Sequence, residues 1–253
     1  MNPGLLAHAF LSAAQRRQLE SSMGIYVWHK IAAPPDRTRD PFEFNSAAVF
    51  EDKLNGLIHA GLHPSTLSDY KSAPARTFAV TFDDGYANVA EQAMPVLERC
   101  RVRAIEFIIA GKLGGQNDWD IAKGDVSERL MDVAQIKTWL AAGHQIGSHS
   151  LTHPNLKKIP ISQAREEVVA SKKKLEDTFG VSVEHFCYPY GLYNDAVRDI
   201  VREAGYLTAS TVRFGFHTAE ESPFELKRIA PLKACELVRK IMHRSLRAIT
   251  TGG

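Results

Sequence analysis

Ala79-Val80-Thr81-Phe82-Asp83-Asp84-Gly85-Tyr86 is an apolar run that ends on two carboxylates and a glycine. Read as a strand, it presents acidic groups at its C-terminal end, the place where α/β folds build their ligand sites. Successive strand residues point to opposite faces, yet Gly85 lets the chain bend at once, so both carboxylates can turn toward one pocket. A plain Asp-Gly turn without chemistry accounts for the same residues. The choice between the two depends on what the rest of the chain brings to that strand end.

Working outward, short β-branched or aromatic runs alternate with longer amphipathic ones. Strands are expected at 24–28, 77–82, 103–109, 144–148, 183–187, 206–211 and near 226–229. Helices are expected at 47–60, 87–100, 133–142, 162–179, 195–204 and 232–247, where apolar residues recur at three- and four-residue spacing. For the 162–179 helix, Ser162 is the expected N-cap and Gly180 the expected left-handed C-terminal residue. Strand-then-helix order implies parallel strands with helical crossovers, and seven strands favour a barrel over an open layer. With no repeat, low-complexity tract or long linker, residues 1–253 read as one domain.

Composition narrows the function. The 31 basic and 29 acidic side chains leave a formal charge of +2, without the basic excess of a protein that neutralises nucleic-acid phosphates. The 44% hydrophobic content suits a packed core. No window reaches the roughly 18 apolar residues of a membrane span. The run at 5–11 is too short, and too broken by His8, for a secretory signal, so the expectation is a cytoplasmic protein unless a leader has been removed. Cys100, Cys187 and Cys235 are too scattered for a disulfide framework or a Cys-x-x-Cys zinc site and are taken as reduced.

Two further strand ends carry polar groups. Gly143-His144-Gln145-Ile146-Gly147-Ser148-His149-Ser150-Leu151-Thr152-His153-Pro154 places His149 and His153 four residues apart, close enough in a compact loop to share a metal. Two histidines and one carboxylate make a three-ligand site with room for water and substrate. One of the paired aspartates would then bind the metal and the other take a proton from metal-bound water, an arrangement suited to hydrolysing an amide or ester. In His185-Phe186-Cys187-Tyr188-Pro189-Tyr190-Gly191, the proline and glycine constrain the backbone so that the Tyr190 amide can face the pocket as an oxyanion donor while its ring forms a wall.

Thr81–Gly85, His149-Ser150-x-x-His153 and Phe186–Gly191, in this order, resemble the motifs of the polysaccharide deacetylases, the NodB-homology or carbohydrate esterase family 4 proteins, over roughly residues 24–231. The resemblance implies a distorted (β/α)7 barrel and removal of N-acetyl groups from an amino-sugar-containing saccharide with a divalent metal, most often Zn²⁺. It implies Asp83 as general base, Asp84, His149 and His153 as metal ligands, and the Tyr190 amide in the oxyanion hole. Tyr188, Pro189, Trp119, His29 and His217 are further candidates around the substrate. Trp119 could stack on a sugar or anchor its loop, and His29 follows the opening strand.

Two departures from the family pattern stand out. Cys187 replaces an arginine that in many members orients the base, so Asp83 needs another partner. Leu226-Lys227-Arg228-Ile229 stands where many members have a Leu-x-His motif, so the general acid is open, with His217 a nearby substitute. These losses motivate the alternative of a catalytically impaired sugar-binding protein on the same barrel. A non-haem iron site uses the same two histidines and one carboxylate, but it has no need of a second, free carboxylate. Sugar identity, linkage and oligomeric state are not encoded in any motif.

Overall fold

Residues 17–230, except 18, 21, 72–74 and 219, are described by this computed structural model. The expected helix at 232–247 lies outside them. Strand β1 (Met23–Trp28) precedes three short strands, β2 (Lys30–Ile31), β3 (Phe44–Asn45) and β4 (His63–Pro64). The decisive run is β5 (Thr77–Asp83), buried at every residue, followed by β6 (Ala104–Ile108), β7 (Gln145–Ser148), β8 (His185–Cys187), β9 (Thr208–Phe214) and β10 (Leu226–Arg228). The sheet order is β1-β5-β6-β7-β8-β9-β10, all parallel, with β4 added beside the start of β5. Backbone bonds from Val27 to the Ile229 carbonyl (3.0 Å) and from Ile229 to the Ile25 carbonyl (2.7 Å) bring the chain after β10 back to β1, which nearly closes a seven-stranded ring. The seven expected strands are all present, and β2, β3 and β4 are additional.

The crossovers are α1 (Ala47–His59), α2 (Met94–Cys100), α3 (Asp118–Ile121), α4 (Val133–Ala141), α5 (Ile161–Phe179) and α6 (Asp195–Glu203). The expected helix at 87–100 is divided: Val89–Ala93 forms a π turn before α2. Pro95 in the first turn of α2 has no N–H to continue a regular ladder. Helix α5 begins at Ile161 with Pro160 as its cap, so Ser162 lies inside the first turn rather than capping it, while Gly180 takes the expected left-handed conformation (φ 67°).

Two apolar layers follow from the two-residue strand period. Ile25, Ala79, Ile105, Phe107, Cys187 and Leu226 belong to the small inner cluster. Phe78, Val80, Phe82, Ala104 and Ile108 belong to the large cluster between sheet and helices. Phe82 meets Trp28, Phe50 and Trp139 ring to ring, at centroid distances of 6.2, 5.6 and 6.1 Å. Truncating it to alanine should cost about 3–5 kcal/mol. The same alternation that sends Ala79 inward sends Thr81 and Asp83 inward, and Leu226 carries Arg228 with it. The upper, C-terminal strand ends therefore converge on one cleft.

Candidate active site

A cleft of about 550 Å³ opens above the barrel, lined among others by His29, Asp83, Asp84, His149, His153 and Arg228. At its base the chain makes an abrupt turn, with Asp84 and Gly85 both at φ 77°. A non-glycine residue in that region is strained, and the strain gives adjacent carboxylates different partners.

Asp84 Oδ1 lies 3.3 Å from both His149 Nε2 and His153 Nε2. The His149 Nδ1–H donates to the Cys187 carbonyl at 2.7 Å, which orients Nε2 toward Asp84, where it donates while protonated and offers a lone pair to a cation once that proton leaves. The loop carrying His153 is held just as firmly. Ser150 (φ 66°) and His153 (φ 69°) are left-handed, and Glu167 on α5 accepts from the Leu151 and Thr152 amides at 2.9 and 2.8 Å. His153 Nδ1 has no hydrogen-bond partner. Its ring instead lies between Trp119 and Tyr190, each 4.6 Å away centroid to centroid. Burial pushes the Asp84 carboxyl up, but hydrogen bonds from the two histidines outweigh it and hold the group well below the carboxylate range.

Asp83 faces a different group. Arg228 Nη1 and Nη2 donate to its two oxygens at 2.7 and 2.6 Å. The guanidinium is itself fixed by Nε–H donating to the Thr211 carbonyl (2.9 Å) and Nη1–H to Thr81 Oγ1 (3.1 Å). Burial raises the Asp83 pKa, but the Arg228 charge and hydrogen bonds overcome it and keep the carboxyl below its ordinary range, ionised at neutral pH. Cys187 Sγ touches this pair, 3.2 Å from Arg228 Nη2, and burial pushes the thiol up. Arg228 thus stands where the sequence resemblance left a gap and supplies the partner that Cys187 does not. Leu-x-Arg on a two-residue period already pointed its third residue inward.

The donor set suits a divalent cation. Asp84, His149 and His153 offer one oxygen and two nitrogens, all buried and within 4.8 Å of one another. Asp83, His149 and Cys187 satisfy the same distance. A cation there, however, would face the Arg228 guanidinium already bound to Asp83, which favours the first group.

The remaining candidates separate. His29 lines the cleft with Nε2 3.9 Å from Asp83 Oδ2 and its side chain 30% exposed. Tyr190 is left-handed (φ 60°) and exposed at the rim, with Lys123 Nζ 4.8 Å over its ring. Tyr188 lines the cleft but is packed into the core, with its hydroxyl donating to the Phe224 carbonyl at 3.1 Å. Pro189 is buried and is not part of the cleft lining. Trp119 is half-buried, packed against His153 and Tyr86, and also lines the cleft. His217 is a correction. It pairs backbone to backbone with Met23, the first residue of β1, at the lower end of the barrel. Nearness along the chain to Leu226–Ile229 suggests the cleft, but the connection to β10 returns to the bottom before that parallel strand starts.

The sequence model for polysaccharide deacetylases matches residues 70–209, more than half of the 253 residues. The chain belongs to the polysaccharide deacetylase family. A poly-beta-1,6-N-acetyl-D-glucosamine N-deacetylase of Staphylococcus aureus (strain MRSA252) is 28% identical over 186 residues, 70% of this chain and 62% of that protein. YxkH of Bacillus subtilis is 26% identical over 163 residues, 64% of this chain and 54% of that protein. This deacetylase-family chain therefore spans between half and two thirds of these relatives' length. A Bacillus cereus polysaccharide deacetylase superposes with a TM-score of 0.71 at 25% identity, covering 88% of this chain and 69% of that one. IcaB from Ammonifex degensii gives 0.75 at 21% identity over 88% and 97%, a likeness of fold. Among the described residues no helix is long and apolar enough to cross a membrane.

Proposed function

We propose that the protein is a metal-dependent hydrolase that removes N-acetyl groups from an amino-sugar-containing saccharide, with a polymer of N-acetylglucosamine as the first substrate class to try. The observation that carries this reading is the separation of the two adjacent carboxylates: Asp84 belongs to two histidines and Asp83 to a guanidinium. Asp84, His149 and His153 would hold the cation, with zinc as the leading candidate. Bound there, it would supply Lewis-acid polarisation of the acetyl carbonyl and a water of lowered pKa.

The chain's own groups account for the proton movements. Asp83, ionised and fixed by Arg228, has a further lone pair on each oxygen and takes the proton from the attacking water. The backbone amide of Tyr190 is assigned to the developing oxyanion. The leaving amine needs a proton, and His29, partly exposed beside Asp83, is the group assigned to give it. A proton donor matters for an amine and little for a leaving group that departs as a stable anion. His29→Gln should therefore slow amide hydrolysis far more than hydrolysis of an activated aryl acetate. Equal losses on both would remove His29 from the role.

The alternative of an impaired sugar-binding protein arose from the missing arginine and histidine. Arg228 supplies the guanidinium, so that alternative loses half of its motive. The direct test is acetate release from a panel of N-acetylated saccharides, before and after chelation and with zinc added back. Release that chelation abolishes and zinc restores is the expected result. Release that chelation leaves untouched would sink the metal reading, and no release despite bound zinc would revive the binding protein.

A further inference from the structure

Glu106 on β6 is completely buried, yet it belongs neither to the cleft lining nor to the group of candidate ligands. Its ladder neighbours are Phe82 on β5 and Ile146 on β7. Along its own strand, Ala104 and Ile108 share its face and pack in the apolar layer outside the barrel. A carboxyl in such surroundings is costly unless its polar atoms are used. Oε1 is used: the Gly85 N–H donates to it at 2.9 Å. Oε2 is buried without a partner, and no basic side chain among the described residues pairs with Glu106. Burial pushes its carboxyl well above the usual range, the Gly85 hydrogen bond opposes this, and the nearby Asp83 and Asp84 charges add to it.

Gly85 is where this bond matters. Asp84 and Gly85 are consecutive left-handed residues, a conformation that persists only where its surroundings over-determine it. Two contacts do so here. The Gly85 carbonyl accepts from the Met131 amide at 2.7 Å, and its N–H is bound to Glu106. Removing the second leaves a buried donor unsatisfied and frees the turn that aims the Asp84 carboxylate at the two histidines.

We propose that Glu106 is a positioning residue for the Asp84 ligand, its Oε1 accepting from the Gly85 amide and with it holding the left-handed turn. The inference rests on Asp84 being a metal ligand, as argued above. It predicts that an amide can replace the acid, since the Gln carbonyl accepts the same bond, whereas a side chain of similar length without an acceptor cannot.

The experiment compares wild type, Glu106→Gln and Glu106→Met in two readouts. One is zinc affinity by competition with a chromophoric chelator, and the other is hydrogen exchange of the Gly85 amide by NMR in the zinc-free protein. Expected are wild-type zinc affinity and a protected Gly85 amide for Glu106→Gln. For Glu106→Met a loss of about 10–100-fold in zinc affinity is expected, together with loss of Gly85 protection. Wild-type zinc binding by Glu106→Met would overturn the proposal, and so would a loss in Glu106→Gln as large as in Glu106→Met. Should Glu106→Met fail to fold, an unprotected Gly85 amide in wild type or a weakened Glu106→Gln would still overturn it. Wild-type protein that takes up no zinc would instead overturn the metal reading, leaving Gly85 exchange to decide whether Glu106 holds the turn.

Discussion

At the upper end of the barrel, His149 and His153 aim Nε2 at one oxygen of Asp84 from 3.3 Å. At the lower end, His144, His185 and His217 are buried to the same degree with no such convergence. His144 accepts from the Ala104 amide through Nδ1 (3.2 Å) and stacks on Trp139 at 4.1 Å. His185 bridges Thr208 and Ser68 hydroxyls at 2.8 and 3.2 Å. His217 has neither ring nitrogen bonded, and Glu221 lies 3.6 Å away. Burial alone therefore does not distinguish a ligand histidine from a packing histidine. What distinguishes the upper pair is a shared carboxylate held in place from several directions.

The comparison breaks most visibly at Asp83. Asp83→Asn keeps the shape and the Asp84 group, so zinc content by elemental analysis should be unchanged while turnover falls by about 10²–10⁴-fold. Unchanged turnover would place the base elsewhere. Next in size is Arg228→Met, which strands a buried carboxylate without its partner. A loss of about 3–5 kcal/mol in urea unfolding is expected, along with most of the activity. Adding Cys187→Arg to that variant returns a guanidinium from β8, where Cys187 Sγ lies 3.6 Å from Asp83 Oδ2 across the barrel interior, and the double variant should recover part of both. No recovery would mean that Asp83 needs the Thr211 and Thr81 anchoring that only position 228 provides.

A smaller effect sharpens the contrast between the two upper histidines. His149 is oriented by a hydrogen bond to the Cys187 carbonyl, His153 by two aromatic rings. Trp119→Ala should weaken zinc binding by about 10–100-fold, and Trp119→Phe should restore most of it. If Trp119→Ala leaves zinc affinity intact but raises KM for saccharides, the ring serves the sugar and not the ligand.

Much of this was legible in the sequence because the relevant signals are local. A strand ending in Asp83-Asp84-Gly85 and a four-residue histidine spacing each report a strand end, and parallel strands bring their ends together. The partner of Asp83 was not legible in the same way. Arg228 is 145 positions away, and only barrel closure between β10 and β1 sets it against β5. Glu106 and Glu167 were hidden for the same reason: a lone acid in a strand or on a helix gives no sign of which distant amide it binds. His217 misled because distance along the chain stood in for distance in space. The divided helix before Cys100 could have been read from Pro95.

The lower histidines carry their own signature, in stability rather than activity. Burial, with a contribution from Arg103 at His144 and Lys172 at His185, lowers both to about 4. In the unfolded chain each binds a proton near pH 6.5, so between 6.5 and 4 the unfolded state holds more protons than the folded one. Their stabilisation is fully present above pH 6.5 and is lost as pH falls through about 4, at up to about 1.4 kcal/mol per unit for each group. His185→Gln should flatten that slope in urea unfolding without touching zinc affinity. The smallest effect expected is at His217. Its ring is buried beside Tyr70 with neither nitrogen hydrogen-bonded, at the far end of the barrel from the cleft, so His217→Leu should leave kcat/KM and its pH profile where they are. A fall in kcat/KM on amides but not on activated acetates would identify it as the proton donor after all, acting from a conformation in which the 215–225 connection reaches the cleft. That result would erase the distinction between the two ends of the barrel, since a histidine at the lower end would then take part in chemistry at the upper one.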